Sequence, residues 1–132
     1  MSKVRWGIIG TGSIASAFAH SIKHCNHSEL SAVFGRNKET LQIFSQKFDV
    51  AGINDIDELV VSNSIDAIYI ATPHSSHFEY ALQAIKNNKH VLCEKPIAMN
   101  HIESMVLFGL AKDCGVFLMD CLLYTSPSPR DA

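Results

Sequence analysis

Val4-Arg5-Trp6-Gly7-Ile8-Ile9-Gly10-Thr11-Gly12-Ser13-Ile14-Ala15 is the stretch on which the fold turns. Val4 to Ile9 is a short apolar run with β-branched members and reads as a buried strand. After the glycine turn, Ile14, Phe18 and Ile22 recur every four residues, which is one face of a helix, and Ser13 stands where a helix cap is expected. Strand, glycine turn and helix form the context in which the GxGxxA pattern of Gly10 to Ala15 has a physical meaning. Gly10 permits a tight turn, Gly12 lets the backbone approach a pyrophosphate, and Ala15 keeps helix and strand close. The unpaired N–H groups and positive dipole end at the helix start suit phosphate. Gly10, Thr11, Gly12, Ser13 and Ile14 are therefore the candidate dinucleotide cradle.

Outward from this unit the chain keeps alternating. Leu30 to Phe34 reads as a second strand, and Leu41, Phe44 and Phe48 mark a helix. Val50-Ala51 reads as a short edge strand and Asp55 to Val61 as a short helix. Ala67 to Ala71 is a continuous apolar strand, and Phe78, Ala81, Leu82 and Ile85 form a helical stripe. His90 to Cys93 is a strand that stops at a charged turn. Asn100 and Glu103 have capping-box spacing ahead of Ile102, Met105, Val106 and Leu110, and Gly115 is placed to end that helix. Val116 to Met119 is a last strand. Alternation of this kind predicts a parallel sheet covered on both faces. Right-handed crossovers make it a doubly wound α/β fold, with the expected strand order 3-2-1-4-5-6.

Three turns are expected at the carboxyl edge of that sheet, where open α/β folds hold their ligands. A ribose 2′-hydroxyl is usually held there by an acidic residue ending the second strand. This chain reads Phe34-Gly35-Arg36-Asn37, with no carboxylate before Glu39. Arg36 suits a 2′-phosphate through paired N–H donors, and Gly35 leaves room for it, so NADP is favoured and NAD remains possible. The other reading has Arg36 stacking on the adenine. Ala71-Thr72-Pro73-His74 is expected to line the nicotinamide side. Glu94-Lys95-Pro96 follows the fifth strand; Lys95 is placed to donate to a substrate oxygen, with Glu94 holding it. His74 and His77 have no third ligand nearby in sequence, so no metal site is expected.

Composition sets the limits. The 132 residues predict about one domain. Hydrophobic residues make up 47% and charged residues 18%, which excludes a disordered chain. A formal charge of −2 gives no basic surplus for nucleic acid or an anionic membrane surface. No apolar run has transmembrane length. Lys3 and Arg5 precede apolar residues, but Gly10 to Ser13 break the run too early for a signal peptide, so the expected compartment is cytoplasmic. Cys25, Cys93, Cys114 and Cys121 form no CxxC pair and read as free buried thiols in a reducing environment.

Cys121 to Ala132 reads Cys-Leu-Leu-Tyr-Thr-Ser-Pro-Ser-Pro-Arg-Asp-Ala. Its prolines forbid continued helix or strand. It matches a translated frame of a sequencing adapter, so 121–132 is expected to be a non-native tail on a domain spanning 1–120. The natural protein is expected to continue beyond Asp120.

Taken together, Arg5 to Gly12, Ala71-Thr72-Pro73 with His77 downstream, and Val91-Leu92-Cys93-Glu94-Lys95-Pro96 resemble the glucose–fructose oxidoreductase / inositol dehydrogenase family (Gfo/Idh/MocA) over about residues 3 to 120. The Trp-Gly opening, Cys-Glu-Lys-Pro and Phe117-Leu118-Met119 look most like its dihydrodiol dehydrogenase branch, which is largely NADP-linked. The resemblance implies an N-terminal Rossmann domain followed by a second α/β domain that holds substrate and makes homo-oligomer contacts; that second domain is expected to be missing from this chain. It implies hydride transfer between a nicotinamide and a hydroxyl-bearing carbon of a sugar, polyol or diol. Lys95 matches the family's motif lysine, which polarises that oxygen, while the main acid/base residue comes from the second domain. His74 stands where many members carry Asn. The fragment alone is expected to be inactive. The rival readings are a non-enzymatic NAD(P)-binding sensor or regulatory module, and an adenosylmethionine-type binder.

Overall fold

A computed structural model describes residues 3–72, 76–94 and 101–121. The elements alternate as β1 (Val4–Ile9), α1 (Ser13–Lys23), β2 (Ser28–Phe34), α2 (Lys38–Phe48), β3 (Ala51–Ile53), α3 (Ile56–Val61), β4 (Ala67–Ile70), α4 (His77–Lys86), β5 (His90–Glu94), α5 (His101–Cys114) and β6 (Leu118–Cys121). The six strands pair in the order β3-β2-β1-β4-β5-β6, every pair parallel. This is the expected doubly wound sheet, and its order reverses between β1 and β4.

Side chains alternate across a strand, so neighbouring apolar residues serve opposite faces. Ile8, Val33 and Tyr69 join Phe18, Ile22, Leu41 and Phe44 from α1 and α2 on one side. Ile9, Phe34, Ile68 and Ile70 join Leu59, Ala81, Ile85 and Leu107 from α3, α4 and α5 on the other. Burial on both faces is why the strands read as continuous apolar runs. Each fully buried Ile contributes about 1.5–3 kcal/mol of transfer free energy. Phe18 ties α1 to the sheet by stacking on Tyr69, with ring centroids 4.0 Å apart, and meeting Trp6 edge-on at 5.1 Å.

Several boundaries differ from the sequence reading for local reasons. The Val50 N–H closes α2 by donating to the Ser45 carbonyl, so β3 starts at Ala51 and runs to Ile53. The Val116 N–H donates to the Ala111 carbonyl (3.0 Å), which delays β6 to Leu118. Gly115, at φ 71°, ends α5 as expected. Gly12, not Ser13, is the N-cap of α1, and no side chain caps that end. Asn100 lies outside the described residues. The α5 stripe is corrected too: Leu107 and Ala111 are buried, whereas Ile102, Met105 and Val106 are exposed. The cysteines are not uniformly buried: Cys93 is buried and Cys114 half-buried, but Cys25 is exposed in the loop after α1. Among the described residues no helix is long and apolar enough to cross a membrane.

The end of the sheet away from the strand carboxyl termini has its own fastening. The Arg5 guanidinium grips Asp66 through both carboxylate oxygens, at 3.0 and 2.8 Å, and the Arg5 N–H adds a bond of 2.9 Å. Lys89 reaches under the end of α3, donating to the carbonyls of Ser62 (2.6 Å) and Ile65 (2.8 Å). The Ser62 carbonyl, at the cap of α3, also accepts from the Ile65 N–H at 3.4 Å, so Lys89 ties the helix end to the turn that leads into β4.

Candidate functional site

The last ladder bonds bring three turns to one edge. The Gly10 N–H donates to the Phe34 carbonyl, Gly35 N–H to the Ile53 carbonyl, and Ala71 N–H to the Ile9 carbonyl. The chain therefore leaves β1, β2 and β4 side by side. Between these exits lies a cleft of about 490 Å³, lined by Gly10, Thr11, Gly12, Gly35, Arg36 and Thr72, with Asn37, Thr40, Ser76 and Tyr80 completing the wall. Phe34, Arg36, Ser76 and Tyr80 are shared with an adjoining open cleft that extends past Asn54 and Glu79.

Each glycine of the turn has a different reason. Gly10 has φ 119°, and a Cβ there would stand 3.0 Å from the Ala71 carbonyl oxygen. That conformation is strained for any other residue. At Gly12 a Cβ would meet none of the described residues within 4 Å. The protein itself does not require glycine at that point, so the open space belongs to whatever enters the cleft. Gly35 lines the cleft and also has an internal reason to be small: a Cβ there would lie 3.0 Å from the Thr11 methyl and 3.4 Å from Leu41. Its smallness lets the β1 turn pack against α2.

Two helix starts face this edge in sequence. α1 begins directly after Gly12, with no acidic residue in its first turn and no side-chain cap. Its free N–H groups are available to an anion. α2 is closed, because the Asn37 side chain accepts from the Glu39 and Thr40 N–H groups at 2.9 and 3.1 Å. The Thr11 hydroxyl bonds the Thr40 hydroxyl at 3.3 Å and links the two turns. Arg36 donates from Nε to the Tyr80 hydroxyl at 3.2 Å. Among the described residues no carboxylate lies within ion-pair distance of Arg36; the pair found is Arg5 with Asp66.

Of the residues expected from sequence, Gly10, Thr11, Gly12, Arg36, Ala71 and Thr72 line the cleft. Ser13 and Ile14 are exposed on the first turn of α1 beyond it. His77 is fully buried and stands behind the wall, where Nε2 donates to the Thr72 carbonyl at 2.7 Å. It therefore fixes the Thr72 turn. Pro73, His74 and Lys95 lie outside the described residues, and Glu94 is described as the last residue of β5, paired with Cys121. The described residues contain no cluster of three or more His, Cys, Asp or Glu suited to a metal.

The sequence reading missed Asn37, Thr40, Ser76 and Tyr80. Asn37 had a legible signal, an Asn just ahead of a helical stripe. Tyr80 had none, because the stripe was read through Phe78 and Leu82, which are half-buried, while Tyr80 and Ala84 are buried.

The residues present fit a dinucleotide. Gly12 opens a cradle that a side chain would fill. The Thr72 hydroxyl is buried on the cleft wall and has no hydrogen-bond partner among the described residues. Buried polar groups are rarely left so unless a ligand or water completes them.

A fold, turn and cleft of this kind define a dinucleotide-binding α/β domain. The chain belongs to the family described as "Oxidoreductase family, NAD-binding Rossmann fold" (GFO_IDH_MocA), which matches residues 4–120. It is 37% identical to scyllo-inositol 2-dehydrogenase (NADP(+)) of Bacillus subtilis over 92% of this chain and 38% of that protein. It is 34% identical to trans-1,2-dihydrobenzene-1,2-diol dehydrogenase of Mus musculus, over 90% of this chain and 37% of the relative. Among solved structures it is similar to a biliverdin reductase from Synechocystis with biliverdin and NADP+, at TM-score 0.87 and 30% identity, over 91% of this chain and 39% of that one. It is also similar to a 3-ketoreductase from Actinomadura kijaniata in complex with NADP, at TM-score 0.91 and 26% identity, over 98% of this chain and 41% of the other. The chain thus spans less than two fifths of the length of the two curated relatives.

Proposed function

We propose that this chain is the cofactor domain of an NADP-dependent oxidoreductase that acts on a hydroxyl group of a sugar, polyol or diol. The observation that carries the cofactor part is the edge formed by β1, β2 and β4. An open glycine turn meets a helix start there, and an arginine stands where NAD-binding domains place a carboxylate. The named substrates of the relatives support the substrate class.

The chain's own contribution is binding and orientation. The α1 start and the Gly10–Gly12 backbone hold a pyrophosphate, Arg36 receives a 2′-phosphate, and Thr72 supplies a hydrogen bond on the far wall. A nicotinamide dinucleotide supplies the hydride acceptor or donor when bound. Lys95 follows directly on β5 in sequence; we assign it donation to the substrate oxygen, which stabilises negative charge developing there. The proton itself leaves to a group in a second domain, which also contributes substrate contacts and homo-oligomer contacts. Cys25 and Cys114, as thiols, suit a reducing cytoplasm.

Titration of the chain with NADPH, NADH and S-adenosylmethionine tests the cofactor assignment. NADPH binding more tightly than NADH, with no response to S-adenosylmethionine, is the expected result. Failure of both nicotinamide dinucleotides to bind contradicts it.

A further inference from the structure

Arg36 stands exposed two residues past the end of β2, and a long flexible side chain there loses entropy when it grips a ligand. In this structure it is not free to wander. Its Nε donates to the hydroxyl of Tyr80, which projects from α4 on the other side of the cleft mouth. Tyr80 is itself fixed: it is 7% exposed, and its ring meets Phe34 edge-on at a centroid distance of 6.0 Å. Phe34 is the last residue of β2, two before Arg36. The sheet end thus holds Tyr80, and Tyr80 holds the guanidinium. A guanidinium carries five N–H donors, and the bond to Tyr80 uses the one at Nε. The two terminal nitrogens keep the forked geometry that pairs with phosphate oxygens.

Resting on the NADP reading above, we propose that Tyr80 is a specificity-determining positioning residue. Its hydroxyl preorganises Arg36 for the 2′-phosphate and so sets the preference for NADP over NAD. The same residue lines both adjoining clefts, where the base and ribose of a dinucleotide would leave the pyrophosphate site. Tyr80 would reach the 2′-phosphate through Arg36, and loss of the hydroxyl alone leaves the ring in the cleft wall, so the expected effect falls mainly on a ligand that carries that phosphate.

The test uses Tyr80→Phe, which keeps the ring and removes the hydroxyl, with 2′-phospho-ADP-ribose and ADP-ribose as probes. The melting temperature and ADP-ribose affinity of the variant report whether the fold survives. The expected result is a five- to tenfold loss of affinity for 2′-phospho-ADP-ribose, about what one hydrogen bond contributes, against a loss of less than about twofold for ADP-ribose. In an Arg36→Ala background the same substitution should have no further effect on either probe. An equal loss for both probes, no loss for either, or a loss that persists without Arg36 overturns the proposal. If the unaltered chain binds neither probe, the cofactor reading itself has failed, an outcome distinct from a wild type that binds and a variant that does not respond.

Discussion

The α-carbon of Gly10 lies against the main chain of Ala71: a Cβ on Gly10 would stand 3.0 Å from the Ala71 carbonyl oxygen. Gly10 follows β1 and Ala71 follows β4, so this contact sets the separation of two turns that form the cleft. It occurs where the strand order reverses, the point at which open α/β sheets admit ligands.

Gly10 and Gly12 are therefore predicted to behave differently. Gly10→Ala forces a side chain into a left-handed backbone and against a carbonyl, at a cost of about 1–3 kcal/mol in stability, and dinucleotide affinity falls with it. Gly12→Ala meets none of the described residues and leaves stability within about 1 kcal/mol, yet weakens dinucleotide binding at least tenfold. Thermal melts together with NADPH titrations separate the two. Equal stability losses would contradict the assignment of Gly12 to the ligand.

Lys95 carries the catalytic expectation. In a protein that includes the second domain, Lys95→Met should lower turnover by about two or more orders of magnitude, as loss of one charge-stabilising donor does. NADPH affinity should be largely retained. Steady-state kinetics with parallel cofactor titration read both quantities, and an unchanged kcat would remove Lys95 from the mechanism.

Far from the cleft, Asp66 makes a pH prediction. Hydrogen bonds from the Arg5 side chain hold its carboxyl down to about 2 from an ordinary 3.8, against a smaller opposing effect of burial. A carboxyl with a lowered folded pKa adds stability above its unfolded pKa and loses it as pH falls through the folded one. The window is thus pH 4 down to 2. Both side chains are more than a third exposed, so the contribution is at most about 1 kcal/mol and shrinks in salt. Urea midpoints for wild type and Asp66→Asn should converge across that window. A constant offset from pH 5 to 2 would show that the ion pair is not the source.

Lys89 is the polar group on which the α3 end depends. It is 8% exposed and donates to the carbonyls of Ser62, at the cap of that helix, and of Ile65 in the turn that follows. Lys89→Met keeps much of the chain length but takes the ammonium donor from the Ile65 carbonyl and leaves the Ser62 carbonyl with the 3.4 Å bond from the Ile65 N–H, and should cost about 1–3 kcal/mol. Chemical denaturation measures it; a change under about 0.5 kcal/mol would mean that water replaces the ammonium there.

What the sequence disclosed and what it hid follow from the range of the forces involved. The β1 turn was legible because strand, glycines and helix are adjacent and each obeys a local rule. The end of β2 was legible because the absence of a carboxylate there is visible residue by residue. The Arg36–Tyr80 bond joins residues 44 apart and the Arg5–Asp66 pair residues 61 apart, and no periodicity marks either. α5 misled for a different reason. Ile102, Met105, Val106, Leu107 and Phe108 are apolar nearly all round, so spacing alone did not choose the face, and packing buried Leu107 and Ala111. Gly35 carries a second constraint that the sequence did not show: its size also answers to Thr11 and Leu41 inside the protein.

The most direct measurement is a pair of backbone amide shift maps of the chain, one with NADPH and one with NADH at the same salt concentration. The account predicts that Gly10, Thr11 and Gly12 respond to both dinucleotides, and that Arg36, Asn37 and Thr40 respond more strongly to NADPH. Shifts centred on Arg5, Asp66 and Lys89 at the opposite end of the sheet, or identical maps for the two ligands, would contradict it.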